Sequence, residues 1–240
     1  MTRPTTGCSG RHCAPPLNRS VRRLNEHKLL ERLPLRSSTE RDLVLALRDV
    51  LRSRYDWITA HRKPSASPHL RKALTDQLGY IPILQPEIDL AFADHDSRVF
   101  AVEVKAFTAV QASFRLPFYE GIGQALALHR YGFDCVALWF VFLGTTLTSG
   151  IRQYGAQAWH FLRNELCLPI DFTFFMVNQD NSAWRFRVLQ YTGVANARPL
   201  LELNDPRFRI IFRHPNPLLT PDSLPSRIRQ ALVPWLQNGA

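Results

Sequence analysis

Two short apolar segments on either side of a turn constrain the fold of this chain more than any other feature. In residues 88–93 and 99–107, bulky apolar side chains alternate with side chains that are mostly small or charged. Residues 94–97, Asp-His-Asp-Ser, are typical of a turn. The pattern predicts a β-hairpin. A five-residue loop is a common hairpin length, so we expect Ala93 to pair with Val99.

This register places three charged side chains on one face of the hairpin. Asp89 lies opposite Glu103, and Lys105 follows on the same face because strand side chains alternate. The opposite face is bulky and apolar, which predicts the core. The charged face is otherwise mostly alanine, and we expect it to leave room for a bulky polymer backbone. Like charges directly opposite on a sheet destabilise it by up to roughly 1 kcal/mol.

A hard divalent cation would explain two facing carboxylates in apolar strands. Mg²⁺ takes oxygen ligands and commonly combines one or two carboxylates with waters and a phosphate. Lys105 would then orient a water nucleophile or offset negative charge on the phosphate under attack. The alternative is an ordinary ion cluster of Asp89, Glu103 and Lys105 on a solvated face. We favour Asp89 as the first ligand, but Glu87 has the same strand parity and is expected to be either an accessory ligand or the first ligand itself.

The rest of the pattern predicts an α/β sandwich with a central mixed β-sheet flanked by helices. Helical spacing of apolar residues predicts helices near residues 40–54, 70–78, 117–130, 150–166 and 225–236. Further strands are expected near residues 57–60, 135–143, 172–178 and 184–190. The nine apolar residues of Cys135–Leu143 indicate a central strand.

Basic residues are concentrated at the two ends of the chain. Of a net charge of +10, residues 1–36 contribute eight basic and two acidic groups, and residues 196–240 contribute six and three. We therefore divide the chain into a basic N-terminal arm (1–36), a core (37–195) and an Arg/Pro-rich extension (196–240). Arginine-rich arms favour a polyanionic partner, because binding releases phosphate counterions. A general arginine bias would give the same charge.

Two absences in the sequence narrow the expected setting. No apolar run approaches the roughly 18–20 residues needed to span a bilayer, so no membrane partner is expected. Four scattered cysteines make no disulfide framework, which favours a reducing, cytoplasmic location.

The hairpin sequence resembles the core of the PD-(D/E)xK nuclease superfamily, which includes restriction endonucleases and Holliday junction resolvases. The resemblance lies in Ile-Asp-Leu-Ala-Phe, in Val-Glu-Val-Lys and in the thirteen residues between Asp89 and Glu103. It implies a restriction-endonuclease-like core of helix, three strands, helix and strand. It also implies Mg²⁺ dependence, with Mn²⁺ as a substitute. Asp89, Glu103 and the carbonyl of Val104 would hold the metal, and Lys105 would be the catalytic lysine.

Two further site residues follow from the same resemblance. Glu40 matches an acid on the first core helix, and helical spacing points it inward, although capping with Ser37 would also explain it. Gln124 matches a glutamine on the helix after the Glu-x-Lys strand. Tyr131 lies seven residues later and is expected on the same helical face. Gly121 and Gly123, in the same helix, indicate either a close approach to the sheet or to a phosphate, or a packed core helix with a frayed start.

These features support three hypotheses about function. The leading one is a Mg²⁺-dependent nuclease that hydrolyses phosphodiester bonds, with DNA as the expected substrate. The alternative is a catalytically silent module of the same fold that binds nucleic acid or a protein partner in mobile-element or defence machinery. In a third, the chain is a component of such machinery that needs its partner for activity. The sequence leaves substrate structure and oligomeric state open, a homodimer included.

Overall fold

The computed structural model describes residues 40–108, 115–144, 149–180, 183–191, 202–203, 205 and 210–239. All of these residues fall within one compact unit, Ser37–Ala240. The predicted N-terminal arm and the candidate cap Ser37 lie outside the described residues. In the part of the chain that is described, no helix combines the length and apolar character needed to cross a bilayer.

The described segments form an α/β fold, as the sequence predicts. The helices are α1 (Glu40–Leu51), α2 (Pro68–Leu78), α3 (Arg115–His129), α4 (Ser149–His160) and α5 (Leu224–Gln237). The strands are β1 (Trp57–Arg62), β2 (Ile88–Ala93), β3 (Val99–Thr108), β4 (Cys135–Leu143), β5 (Asp171–Asp180) and β6 (Ala183–Tyr191). A π-helical turn, Phe161–Glu165, continues α4.

The six strands form one mixed sheet in the order β1-β2-β3-β4-β5-β6. The pairs β3–β4 and β4–β5 are parallel, whereas β1–β2, β2–β3 and β5–β6 are antiparallel. All nine residues of β4 are buried. A strand that is apolar on both faces needs helices on both faces, which is why this segment takes the centre of a sandwich.

The hairpin of β2 and β3 has the predicted register. Ala93 pairs with Val99, and Leu90 pairs with Val102. At the turn, Asp94 Oδ1 accepts hydrogen bonds from the backbone nitrogens of Asp96 and Arg98, both at 3.0 Å. The turn is therefore closed by its own side chains, and it fixes which residues face each other further along the ladder.

The alanine face of the hairpin is covered, which corrects the expectation of open space above it. Ala91 and Ala101 are fully buried and belong to the same cluster as Leu74 of α2, Leu128 of α3 and Leu232 of α5. Small side chains allow helices to pack close to a sheet, so the alanines make room for helices. Helix α1 contacts β1, β2 and β3, and its apolar residues lie outside that cluster, on the other face.

The described part of the C-terminal extension packs onto the core. Helix α5 contacts α2 and β1. Before it, the side-chain amide of Asn216 donates to the carbonyls of His129 (2.7 Å) and Phe133 (2.9 Å). The buried His214 Nδ1 lies 2.6 Å from Asp171 Oδ1 at the start of β5. These contacts fasten the segment that carries α5 to the ends of the central strands.

A candidate metal centre at the end of the hairpin

Two buried carboxylates lie next to each other where the β2–β3 ladder ends. The pair Leu90–Val102 places Asp89 opposite Glu103 one residue further on, as the sequence predicts. Asp89 is 7% exposed and Glu103 is 1% exposed. Asp89 Oδ2 accepts a hydrogen bond from the backbone nitrogen of Val104 at 2.9 Å. The predicted alternative of a solvated ion cluster does not fit this burial.

Lys105 and Glu40 complete a cluster of three carboxylates around one ammonium. The Nζ of Lys105 lies 2.7 Å from Glu103 Oε1 and 3.7 Å from Glu40 Oε1. Glu40 is at the first turn of α1, and its Oε2 accepts a hydrogen bond from the backbone nitrogen of Ala106 at 3.2 Å. Glu40 therefore points towards the hairpin, as its place on the helical stripe predicts, and 41% of its side chain remains exposed.

One oxygen of this cluster is buried without a partner. Glu103 Oε2 has no hydrogen-bond partner among the described residues. A buried carboxylate oxygen left unsatisfied is expensive, because a charged group loses its hydration without compensation. The geometry thus leaves one acceptor of Glu103 available for a cation or a donor that the chain does not supply.

Burial and mutual repulsion shift the pKa values of the two carboxyl groups upwards. Burial raises the pKa of Asp89 to about 6, against the lowering effects of the Val104 hydrogen bond and the charge of Lys105. Burial, which has the largest effect, and the negative charge of Asp89, which has the next largest, raise the pKa of Glu103 to about 8. Both shifts arise mainly from burial, which disfavours the charged form of each acid.

Lys105 keeps its proton in this environment. Burial lowers the pKa of Lys105, but the charges of Glu103, Glu40 and Asp89 together raise it, and the net shift is upwards. Lys105 therefore acts as a fixed cation that can orient a nucleophile or offset developing charge, and it is poorly suited to act as a general base at neutral pH.

His61 is a potential ligand that sequence reasoning missed. The pairs Ala60–Leu90 and Arg62–Ile88 lie on either side of it, so that His61 stands opposite Asp89. His61, Glu87 and Asp89 each offer one ligand atom, and these atoms lie within 4.8 Å of one another. The proximity of His61 to Asp89 follows from the pairing of β1 with β2, which the sequence pattern did not predict.

The hydrogen bonds of His61 fix its tautomer. The Nε2 atom lies 3.1 Å from the backbone carbonyl of Arg41, which can only accept, so Nε2 carries a hydrogen. In the neutral imidazole, Nδ1 then presents its lone pair, 3.7 Å from Glu87 Oε1. Metal-binding histidines are commonly oriented in this way by a backbone carbonyl.

Glu87 is a weaker candidate than Asp89 for the first ligand. Its side chain is 37% exposed, and its Oε2 lies 3.0 Å from Lys63 Nζ. Asp89 is buried and held by Val104. The structure therefore favours Asp89 as the principal acid of β2, with Glu87 beside it.

Helix α3 packs directly against the catalytic lysine candidate. A Cβ on Gly121 would stand 2.7 Å from Leu138 Cδ1 and 3.1 Å from Lys105 Cγ, so a close approach to the sheet explains this glycine. Gln124 follows one helical turn later, and its Oε1 is buried without a hydrogen-bond partner in the described part of the chain. Gln124 therefore lies one turn beyond the point where α3 packs against Lys105.

The prediction that Tyr131 lies on the same helical face as Gln124 is wrong. Helix α3 ends at His129, and Gly132 adopts a left-handed backbone with φ 79°. Tyr131 is buried in the connection to β4, and its hydroxyl donates to the carbonyl of Leu84 at 2.5 Å. Tyr131 therefore anchors the segment before β2.

The donor set fits a divalent cation. Carboxylate oxygens of Asp89 and Glu103 are hard ligands suited to Mg²⁺ and Mn²⁺. A bound cation would give the unpartnered Glu103 Oε2 a partner and would offset the burial that raises both pKa values. His61 Nδ1 and Glu87 could complete the ligand set on the β1 side.

Comparison with known proteins adds no relatives: no family model, no curated protein and no solved structure matches this chain.

Proposed function

We propose that this protein is a metal-dependent nuclease that hydrolyses phosphodiester bonds, with DNA as the expected substrate. The observation that carries the proposal is the cluster of two buried carboxylates, Asp89 and Glu103, with the half-buried Glu40 beside the ammonium of Lys105. The chain order of α1, β1, β2, β3, α3 and β4, with α2 inserted after β1, agrees with the core that the superfamily resemblance implies.

Asp89 and Glu103, with the carbonyl of Val104 as the resemblance implies, would hold Mg²⁺ or Mn²⁺. When bound, the metal supplies Lewis-acid stabilisation of the phosphate and favours deprotonation of an attacking water. Asp89 is oriented for this role by the Val104 backbone nitrogen. Burial of both carboxylates excludes bulk water and strengthens their interaction with a cation.

Lys105 and Glu40 would act on the nucleophile and on developing charge. With its proton retained, the Lys105 ammonium donates hydrogen bonds to the attacking water and stabilises negative charge on the phosphate. Glu40 lies 3.7 Å from the same ammonium and helps to hold it in place. Gln124 would contact the water or the scissile phosphate from α3.

A cytoplasmic location is part of the proposal. The described cysteines, Cys135 and Cys167, are free thiols, as is usual in reducing compartments.

A cleavage panel tests the proposal. The substrates are linear, nicked, branched and single-stranded DNA and, separately, single-stranded RNA. Each substrate is incubated with the protein in Mg²⁺, Mn²⁺ or EDTA. We expect cleavage with either metal, none in EDTA, and a loss of about 100-fold or more for Lys105→Ala, since a catalytic electrostatic contact is removed. Lys72→Ala is the matched control, because Lys72 is exposed on α2 and paired with Asp76.

Each outcome of the panel separates the hypotheses. Cleavage by Lys105→Ala at the wild-type rate would rule the proposed site out. Nucleic-acid binding without cleavage by the wild type, on every substrate and with both metals, would favour the silent module.

A further inference from the structure

A cleft with an excess of positive charge opens beside the candidate metal centre. It has a volume of about 500 Å³ and lies between the end of β1, the start of α2 and Trp235 of α5. His61 and Glu87, which flank Asp89, also line this cleft. The cleft and the carboxylate cluster are therefore neighbours that share a wall.

The charges of the cleft favour an anion. Arg41, Arg62 and Lys63 line it together with one carboxylate, Glu87. Lys63 Nζ is 3.0 Å from Glu87 Oε2, which leaves the two arginines as the excess charge. Such an excess beside an acidic metal centre attracts a group that carries negative charge.

Arg62 is fixed in the wall with an unsatisfied donor. Its guanidinium lies 4.2 Å from the centroid of the Trp235 ring, and Nη2 donates to the Trp235 carbonyl at 3.0 Å. Its Nε is buried and has no hydrogen-bond partner among the described residues. Arg62 also lines the cleft, so an anion there would stabilise the positive charge of its guanidinium.

The N-terminus of α2 adds to the same field. Ser67 and Pro68 line the cleft, and Ser67 caps the helix by accepting a hydrogen bond from the Leu70 nitrogen at 3.2 Å. The positive end of an eleven-residue helix thus faces the cleft. The helix terminus and the guanidinium of Arg62 are independent features, and both favour an anion in the cleft.

We propose that this cleft binds a phosphate group of the nucleic-acid strand, next to the phosphate held at the carboxylate cluster. The nucleic-acid identity of the ligand rests on the proposed function, whereas anion binding follows from the residues of the cleft. Arginine forks match phosphate oxygens in shape and charge. The cleft would then set the position of the strand relative to Lys105.

Binding without metal tests this inference separately from catalysis. Fluorescence anisotropy of a 3′-fluorescein 12-nucleotide DNA, with and without a 5′-phosphate, is measured in EDTA over a range of salt concentrations. The test variant is Arg41→Ala/Lys63→Ala. The control is Arg152→Ala/Arg163→Ala, which removes the same charge from exposed positions on α4 and the following π-turn, near β6 at the other edge of the sheet.

We expect the test variant to bind about tenfold or more weakly, and the slope of log affinity against log salt to fall by about one. The control should stay within about twofold. If the 5′-phosphate tightens binding only in the wild type, the cleft holds a terminal phosphate. If both oligonucleotides lose affinity equally in the test variant, it holds an internal one.

Two results would overturn the inference: wild-type affinity in the test variant, or an equal loss in the control. Weaker binding by the test variant, combined with no cleavage by the wild type, would keep the anion cleft and reject the nuclease. Normal binding by the test variant, combined with metal-dependent cleavage that Lys105→Ala abolishes, would keep the nuclease and reject the anion cleft.

Discussion

The ion pair between Lys105 and Glu103 uses only one of the two carboxylate oxygens. Nζ lies 2.7 Å from Oε1, while the buried Oε2 has no hydrogen-bond partner among the described residues. Asp89 adds a second buried carboxylate beside it. One ammonium therefore cannot neutralise two buried carboxylates.

Glu103→Gln should stabilise the metal-free protein in a pH-dependent way. The pKa of Glu103 is raised to about 8 from 4.5. The folded state therefore binds more protons than the unfolded state between these values, and stability falls as pH rises through them. We expect the variant and wild type to be alike near pH 4.5, and the variant to be more stable by at least about 1 kcal/mol at pH 8.

Urea unfolding at pH 5, 7 and 8 in EDTA measures this difference. Glu120→Gln, an exposed position on α3, is the control and should show no pH-dependent gain. Added Mg²⁺ should reverse the order, because it stabilises only the protein that binds it. A variant that is less stable than wild type at pH 8 without metal would contradict the account of Glu103.

Metal affinity should rise with pH and metal binding should release protons. Burial raises the pKa of Asp89 to about 6 and that of Glu103 to about 8, and a cation must displace these protons. We expect Mn²⁺ to bind about tenfold or more tightly at pH 8 than at pH 6. Calorimetry in buffers of different ionisation enthalpy counts the released protons. Affinity that is independent of pH would refute this coupling.

Three single variants identify the carboxylates and the imidazole that hold the metal. We expect Glu103→Gln to weaken Mn²⁺ binding by about 10-fold to 100-fold, because its Oε2 is buried and unpartnered. Glu87→Gln should cost less, since Lys63 already neutralises Glu87. A loss with His61→Ala would assign Nδ1 as a ligand. An equal or larger loss of Mn²⁺ affinity with Glu87→Gln would indicate that the metal binds closer to β1.

Two glycines of α3 form a matched pair for the close approach to Lys105. A Cβ on Gly121 would meet Leu138 at 2.7 Å and Lys105 at 3.1 Å, so Gly121→Ala should displace the lysine and reduce kcat. Gly123 has no atom within 4 Å of its Cβ position, and Gly123→Ala should stabilise the helix by up to about 1 kcal/mol. Cleavage rates and thermal unfolding measure both effects. Equal behaviour of the two variants would contradict the packing.

The anchor of the C-terminal segment can be tested at Asn216. Its amide satisfies the carbonyls of His129 and Phe133, and its Oδ1 accepts from the Leu218 nitrogen at 3.0 Å. We expect Asn216→Ala to cost about 2–3 kcal/mol of unfolding free energy, because buried groups lose their partners. Denaturant unfolding measures this, with the exposed Asn238→Ala as the control. A cost below that of the control would show that the anchor contributes nothing.

The hairpin and the central strand could be predicted from local pattern. Alternation with a turn at residues 94–97 fixed the pairing of Ala93 with Val99, because a slip by one residue would turn every side chain to the other face. The placement of Asp89 beside Glu103 follows from that register. Helix α1 was predicted for the same reason, since its apolar stripe turned Glu40 inward.

Other features depend on contacts between segments that are distant in the chain. His61 comes to stand opposite Asp89 only because β1 pairs with β2, and no local pattern specifies that partner. Tyr131 leaves the helical face because Gly132 turns the chain after His129. The alanines were expected to be open, and α2, α3 and α5 cover them instead.

Local pattern was enough to predict the strands, the hairpin register and the facing carboxylates, because side-chain alternation and turn chemistry act over a few residues. The depth at which the carboxylates are buried, the lack of a partner for one Glu103 oxygen among the described residues, and the contact of Arg62 with Trp235 arise only in the folded molecule. These features depend on how helices from distant parts of the chain pack on the sheet, and packing is a property of the whole fold.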